Sequence, residues 1–128
     1  MKGAFLVSSD GQLFETVRRV LLARGGKISA DGEHAQLRTE TGVLLTAYGV
    51  SPELEWEFKS GELSAAAGTP LPEVNDMTGV AIETRSESLF ATLAKAISDA
   101  SASGDVWVVD GDGVVWPASE VDPSRVRL

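Results

Sequence analysis

The stretch GAFLVSSDGQLFETV, residues 3–17, joins an apolar run to the beginning of an amphipathic pattern. The run Gly3–Val7 is typical of a buried strand, and the apolar residues after it recur three and four positions apart, as on one face of a helix. Between these two patterns, Ser9 and Gln12 match a capping box. The glycine pair at residues 25–26 ends the helical pattern, because glycine takes the left-handed conformation after a helix without strain. The chain therefore begins with a β-α unit.

A second stretch, GVAIETRSESLFATL at residues 79–93, repeats this pattern. A strand over Gly79–Glu83 is followed by a second amphipathic helix, with Ser86 as the predicted N-cap. Two interpretations of this similarity stay open: the halves 3–40 and 79–118 are an internal duplication, or any strand–helix junction demands similar residues. When residue 3 is aligned with residue 79, four positions are identical: Gly3 with Gly79, Leu13 with Leu89, Phe14 with Phe90 and Thr16 with Thr92.

The region between the two halves predicts further strands and a long loop. Three short strands, Lys27–Ala30, Ala35–Thr39 and Val43–Tyr48, are separated by Asp-Gly and Thr-Gly turns. The segment ELEWEF, residues 53–58, alternates acidic and apolar side chains, which predicts a fourth strand with its apolar side chains facing the core. Residues 60–78 have no sustained period, and we predict a loop of a length that is often functional.

The stretch WVVDGDGVVWP, residues 107–117, predicts a hairpin that closes the fold. With Gly111-Asp112 at the centre of a type II′ turn, Trp107 would lie opposite Trp116. A calcium loop of the EF-hand type would need an oxygen ligand where Val114 stands, so we do not predict a metal site here.

Together these patterns predict one domain, residues 1–128, of the α+β class. The expected order is β-α-β-β-β-β-loop-β-α-β-β, with the two amphipathic helices packed on one face of a largely antiparallel sheet. The last residues, 122–128, are expected to fray.

The composition argues against several classes of function. The 128 residues include no cysteine, which excludes disulfides, thiolate zinc sites and cysteine nucleophiles. His34 is the sole histidine and no GxSxG motif is present, so we predict no catalytic residue, no metal and no cofactor. The net charge of −8 opposes nucleic-acid binding. Because the apolar runs are too short for a signal peptide or a membrane span, we expect a cytoplasmic protein without membrane contact.

Negative charge is concentrated between residues 51 and 78, where Lys59 is the single cation. The predicted strand would present three glutamates in a row about 7 Å apart. We predict that the acidic residues of this region, with Tyr48 as an apolar anchor, form a docking surface for a basic partner. The competing interpretation is a solvated strand face, or a sheet edge protected by charge. The acidic residues are Glu53, Glu55, Glu57, Glu62, Glu73 and Asp76.

In size, acidity and element order, and in the terminal strand pair VWVVDGDGVVWP, the chain resembles immunity proteins of bacterial contact-dependent growth inhibition and other polymorphic toxin systems. The resemblance implies a single-domain inhibitor that binds one cognate toxin domain, often a nuclease, at its active site or a nearby surface. It implies no individual contact residue, so the candidate residues come from the charge pattern alone.

Two other functions fit the sequence. A small-ligand-binding or regulatory domain would have a pocket between sheet and helices, rimmed by the loop 60–78. A hydrolase would use paired carboxylates, such as Asp110 with Asp112 or Glu55 with Glu57, and would need a raised pKa at one of them. An exposed sheet edge would also allow a homodimer.

Overall fold

The computed structural model describes residues 3–50, 55, 58, 59 and 61–128. Two regular helices pack on a mostly antiparallel sheet of eight strands, which confirms the predicted α+β class and element order. The strands are β1 Gly3–Ser8, β2 Lys27–Ile28, β3 His34–Arg38, β4 Leu44–Gly49, β5 Ser64–Ala65, β6 Thr78–Thr84, β7 Val106–Val109 and β8 Val114–Pro117. The helices are α1 Leu13–Ala23, α2 Glu87–Ala100 and a short 3-10 helix Ala118–Glu120.

The sheet has the strand order β2-β3-β4-β6-β1-β7-β8-β5. At its centre, β1 is antiparallel to β6 on one side and to β7 on the other. At the far edge β5 pairs with β8 in parallel. The first strand of the chain is therefore held by strands that follow it by 70 residues or more.

Both helices cover the same face of the sheet and enclose the main core. Leu6, Ile82 and Val108 point from three adjacent strands towards Val17 of α1 and Phe90 of α2, and each is at most 3% exposed. Burying a side chain of this kind stabilises the fold by about 1.5–3 kcal/mol. The alternation of these strands and the 3.6-residue period of the helices place apolar side chains on this shared interface.

A second apolar cluster lies on the opposite face of the sheet, which we call the outer face. Val7 and Val109 form one cluster there with Phe58, Val74 and Met77, so these last three side chains cover part of β1, β7 and β8. The ring of Phe58 is also 5.3 Å from the ring of Phe5. The outer face of β3 and β4 carries no such layer in the described part of the chain.

The predicted strand over residues 53–58 is wrong for Glu55 and Phe58, the two residues of that range that the structure describes. The described residues Glu55, Phe58 and Lys59 are helical, and the Lys59 ammonium lies 2.9 Å from the Glu55 carboxylate. Four residues of a strand would separate these positions by about 13 Å. The alternation ELEWEF also places apolar residues four apart, at 54 and 58, so the segment satisfies a helical period as well as a strand period. The strand that precedes β6 is instead β5, within the predicted loop 60–78.

The helix caps follow the prediction at one helix and depart from it at the other. The Ser86 hydroxyl accepts a hydrogen bond from the Leu89 amide at 3.1 Å, which confirms it as the N-cap of α2. At α1 the predicted capping box is wrong, because the Ser9 hydroxyl donates to the Asp105 carboxylate and Gln12 is the N-cap without a side-chain bond. Ser9 thereby links the turn between β1 and α1 to Asp105, the residue that directly precedes β7.

The terminal hairpin forms, but its register differs by one residue from the prediction. Trp107 pairs with Pro117 rather than with Trp116. The Gly113 amide donates to the Asp110 carbonyl, and Gly113 has a φ of 77°. The loop is therefore a three-residue turn of type I that ends in a left-handed glycine, and the type II′ prediction is wrong. In this register Trp116 lies in the main core, whereas Trp107 packs beside the second cluster.

Asp110 organises this turn from a buried position, with 6% of its surface exposed. All four of its hydrogen bonds are accepted from donors within the protein, which leaves its oxygens engaged rather than available to a cation. The donors are the amides of Asp112 and Val114 on Oδ1, and the Trp116 indole and the Arg127 amide on Oδ2.

The expectation that residues 122–128 fray is wrong. Val126 is 4% exposed and belongs to the main core. The Arg127 amide donates to Asp110, and the Arg127 carbonyl accepts from the Gly111 amide. Val126, the partly buried Leu128 and two hydrogen bonds made by the Arg127 backbone thus dock the end of the chain against the hairpin turn.

The internal duplication stays a prediction. The pairing of β1 with β6 is symmetric about the pair Phe5–Ala81, whose members are separated by the same offset as the repeat. The helices do not keep that offset, because Leu13 is buried in α1 whereas Leu89, its match in the sequence, is partly exposed and Phe90 is buried instead. The similarity is therefore closer in the strands than in the helices.

Candidate binding surfaces

The chain has four carboxylates and no cation between Lys59 and Arg85, and we call residues 61–77 of this stretch the acidic segment. Three of these carboxylates belong to exposed residues, and none of the three forms an ion pair with another described residue. They are Glu62, Glu73 and Asp76. This part of the predicted docking surface is accessible to a partner.

Of the predicted row of glutamates, the structure describes Glu55 alone, and Glu55 does not lie on a strand. Glu55 belongs to the helical turn, and its side chain is 22% exposed and paired with Lys59. Glu53 and Glu57 lie outside the described residues. Because its charge is neutralised at short range, Glu55 contributes little to an acidic surface.

The acidic segment is fastened to the sheet at several points along its length. Ala66, Val74 and Met77 are each at most 6% exposed, and a turn from Ala66 to Thr69 is closed by both the amide and the hydroxyl of Thr69. Between these anchors Leu71 is 50% exposed. It stands between two prolines, whose rings restrict the backbone to extended conformations. The segment therefore presents one apolar side chain among exposed carboxylates on a constrained backbone.

Tyr48 lies at a distance from Glu62. It lies on the outer face of β4, where its hydroxyl donates to the Glu83 carboxylate at 2.7 Å and its ring is 5.8 Å from that of His34. Glu62 lies beside Gly113 in the β7–β8 turn. Four strand spacings separate β4 from β8 in the sheet, or about 19 Å. Tyr48 and Glu62 therefore lie on different parts of the sheet, and a docking surface that includes both stays a prediction.

A different set of side chains lies on the outer face of β3, β4 and β6. The strand register places them in rows that run across the sheet. One row joins Gln36, Thr46 and Glu83, with the Gln36 amide 3.4 Å from the Thr46 hydroxyl. The next row joins Arg38 and Leu44, and Arg85 follows β6 directly at the other side of Leu44. The second row is an exposed leucine between two arginines.

Leu44 and Arg85 of this row line a depression of about 470 Å³, and Arg38 lies beside Leu44 on β3, next to the depression. The other lining residues are Thr46, Glu83, Thr84 and residues 41–43 of the turn between β3 and β4. Leu44 is 39% exposed, although most large apolar side chains of the described sheet are buried.

Sequence reasoning missed the arginine–leucine row. The alternation in HAQLR does place Ala35 and Leu37 inside and Arg38 outside, so the direction of one side chain could be inferred. The neighbours of Arg38 depend on which strands adjoin β3 and in which register, and Arg85 is 47 positions away in the sequence. No local pattern contains that information.

Among the described residues, three carboxyl groups have a shifted pKa, and each pKa is lowered. A hydrogen bond from the Ser9 hydroxyl, followed by one from the Trp107 indole, lowers the pKa of Asp105. Hydrogen bonds from Ser29 and from Ser124 lower the pKa of Asp31 and of Asp122, respectively. Hydrogen bonding to the charged form has this effect because it favours ionisation. None of these three has the raised pKa that a carboxylate general acid would need.

Among the described residues no three histidine, aspartate or glutamate side chains come close enough to hold a metal ion. In the same part of the chain, no helix is both long and apolar enough to cross a bilayer. The sequence matches no family model, and neither curated proteins nor solved structures include a significant match.

Proposed function

We propose that the chain is a non-enzymatic immunity protein that binds a cognate toxin domain of basic charge through the acidic segment. The observation that carries this proposal is the set of exposed carboxylates at Glu62, Glu73 and Asp76, on a stretch without any cation. The resemblance in size and element order to immunity proteins supports the same class. The protein would act in the cytoplasm, where a delivered toxin reaches its target.

The charges of the acidic segment would act mainly on the rate of association. Two unit charges 4 Å apart interact by about 1 kcal/mol in water and about 4 kcal/mol at the effective dielectric of a protein surface. Three such contacts to a basic cleft would steer the encounter and raise the association rate. Because the charges are exposed, salt would weaken this effect strongly.

Leu71 is the apolar anchor of the proposed surface, in place of the predicted Tyr48. Interface energy is concentrated in a few apolar side chains that are desolvated inside a charged or polar rim. Leu71 is half exposed, and the prolines on either side of it reduce the conformational entropy that binding would cost. Its exposure in the free protein is unfavourable unless a partner covers it.

The direct test is copurification with the C-terminal domain of a large secreted protein encoded next to this chain, followed by stopped-flow association at several salt concentrations. Reversing the charge of Glu62, Glu73 and Asp76 to lysine should slow association at least tenfold and flatten its salt dependence. A matched control reverses three exposed acidic residues elsewhere, Glu40, Asp99 and Glu120, which changes the net charge equally. If both triple variants behave alike, net charge rather than the acidic segment is responsible, and failure to copurify rejects the immunity function.

A further inference from the structure

The depression beside the arginine–leucine row has features that the acidic segment lacks. Arg38 and Arg85 are both exposed, and neither guanidinium forms an ion pair or a hydrogen bond with another described side chain. Leu44 lies between them and is partly exposed. In a chain with a net charge of −8, two arginines on either side of an exposed leucine, without an ion pair to any described residue, form a local positive patch.

The chemistry of this row selects a particular class of ligand. A guanidinium group presents a planar fork of donors that matches a carboxylate. The strand spacing places the backbones of Arg38 and Arg85 about 10 Å apart, which lets both side chains reach one anion above Leu44. The isobutyl group of Leu44 offers a contact for an aliphatic group, as in ligand sites that combine an apolar lining with a few polar groups.

The neighbouring row, which includes Thr46 and Glu83, restricts the class of ligand further. The Glu83 carboxylate lines the depression and is held by the Tyr48 hydroxyl at 2.7 Å. A dianion such as inorganic phosphate would meet repulsion from this fixed charge about twice as strong as a carboxylate would. The hydroxyl of Thr46, which also lines the depression, can donate to or accept from a polar atom of the ligand. A volume of about 470 Å³ lies within the range of small-molecule sites.

We propose that this depression binds a small organic carboxylate with a short aliphatic group, the carboxylate contacting Arg85 and Arg38 and the aliphatic group contacting Leu44. The same chemistry occurs in a free acid and at the carboxyl terminus of a peptide. The site includes none of the exposed carboxylates of the acidic segment. Ligand binding at the site can therefore be tested independently of the immunity function.

The test is a titration of the ¹⁵N-labelled protein with N-acetyl-L-leucine, followed by amide chemical shifts. The expected result is a saturable shift centred on residues 43–46 and 83–85, with a dissociation constant on the order of millimolar, as usual for a ligand of this size. N-acetyl-L-leucinamide, which lacks the charge, should bind at least tenfold more weakly. A short peptide that ends in leucine distinguishes a free acid from a peptide terminus as the natural ligand. If the depression admits the backbone that precedes the terminal leucine, the peptide should bind at least as well as N-acetyl-L-leucine; weaker binding of the peptide favours a free acid.

Matched variants separate the site from general charge effects. Arg85→Met and Arg38→Met should each weaken N-acetyl-L-leucine binding about tenfold. Arg24→Met, an exposed arginine after α1, removes the same charge at a distance and should leave binding unchanged. Equal losses in all three variants, shifts that map elsewhere, or equal binding of the uncharged amide would each overturn the proposal.

Discussion

Replacing Asp110 with asparagine changes one oxygen of a buried carboxylate into an NH₂ group and keeps the size of the side chain. The carboxylate accepts two hydrogen bonds on each oxygen. In either orientation of the amide, its NH₂ group would face two donors, which are the backbone amides of the turn or the Trp116 indole and the Arg127 amide. Two hydrogen bonds are therefore lost, and four donors in all lose a charged acceptor.

The magnitude follows from the number of bonds. Hydrogen bonds to a charged group contribute about 1.5–3 kcal/mol each, so the loss of two predicts a destabilisation of roughly 3–6 kcal/mol. This is a large part of the 5–15 kcal/mol that usually separates folded from unfolded states. With an unfolding entropy of about 2.1 cal/mol/K per residue, even a loss of 3 kcal/mol lowers the Tm of a chain of this length by roughly 11 °C.

Urea and thermal unfolding followed by circular dichroism would measure this change. The matched control is Asp112→Asn, because that side chain is 67% exposed and its nearest cation, the Arg127 guanidinium, is 3.9 Å away. The control should stay within about 0.5 kcal/mol of the parent protein. Hydrogen exchange at the Arg127 amide should accelerate in Asp110→Asn and not in the control. A destabilisation below about 1 kcal/mol for Asp110→Asn would refute this account of the turn.

Two further predictions concern a close contact and a pH dependence. Gly79→Ala places a Cβ 2.6 Å from the Phe58 ring and should lower the free energy of unfolding by about 1–3 kcal/mol. The control Gly61→Ala, whose Cβ would have no described neighbour within 4 Å, should not lower it. Equal effects of the two substitutions would contradict the packing of Phe58 on the outer face. The pKa of Asp105 lies below its ordinary value, 3.8, so the associated stability is present above pH 3.8 and is lost as the pH falls through the lowered folded pKa. Ser9→Ala should raise the Asp105 pKa in an NMR titration. It should also lower the free energy of unfolding more at neutral pH than at acidic pH. An unchanged Asp105 pKa would show that the Ser9 hydrogen bond is not the main cause of the lowered value.

Much of the fold was predictable from the sequence, because each element has a period of its own. The helical spacing that begins at Leu13 and the capping serine Ser86 locate both long helices. The valine runs on either side of DGDG locate the hairpin. In these places local propensity and tertiary packing favour the same structure.

The errors occur where two local solutions fit equally well. Residues 53–58 satisfy both periods, and the contact between Glu55 and Lys59 together with the burial of Phe58 favours the helix. At the hairpin, either glycine of DGDG could take positive φ, and the buried Asp110 carboxylate selects the second. The docking of the last residues depends on Val126 and the partly buried Leu128, and two apolar residues form no period that would reveal it.

The candidate surfaces were predictable to a smaller extent. Exposed carboxylates at Glu62, Glu73 and Asp76 follow from composition, because a loop rich in polar residues lies at the surface. The depression beside Leu44 follows from sheet order and register. Those are set by the whole core, and short-range patterns do not specify them.

The central position of β1 has a consequence for biosynthesis. Its two partners in the sheet are residues 78–84 and 106–109, so nothing can pair with it while the first half of the chain is being made. At about 5–20 residues per second, β1 would wait roughly 4–15 s on the ribosome before β6 is translated. During that interval the apolar residues of β1 have no native partner strand. Exposed apolar segments of this kind bind chaperones or aggregate. We expect the yield of native protein to depend on translation speed more than that of a fold whose sheet grows from neighbouring hairpins.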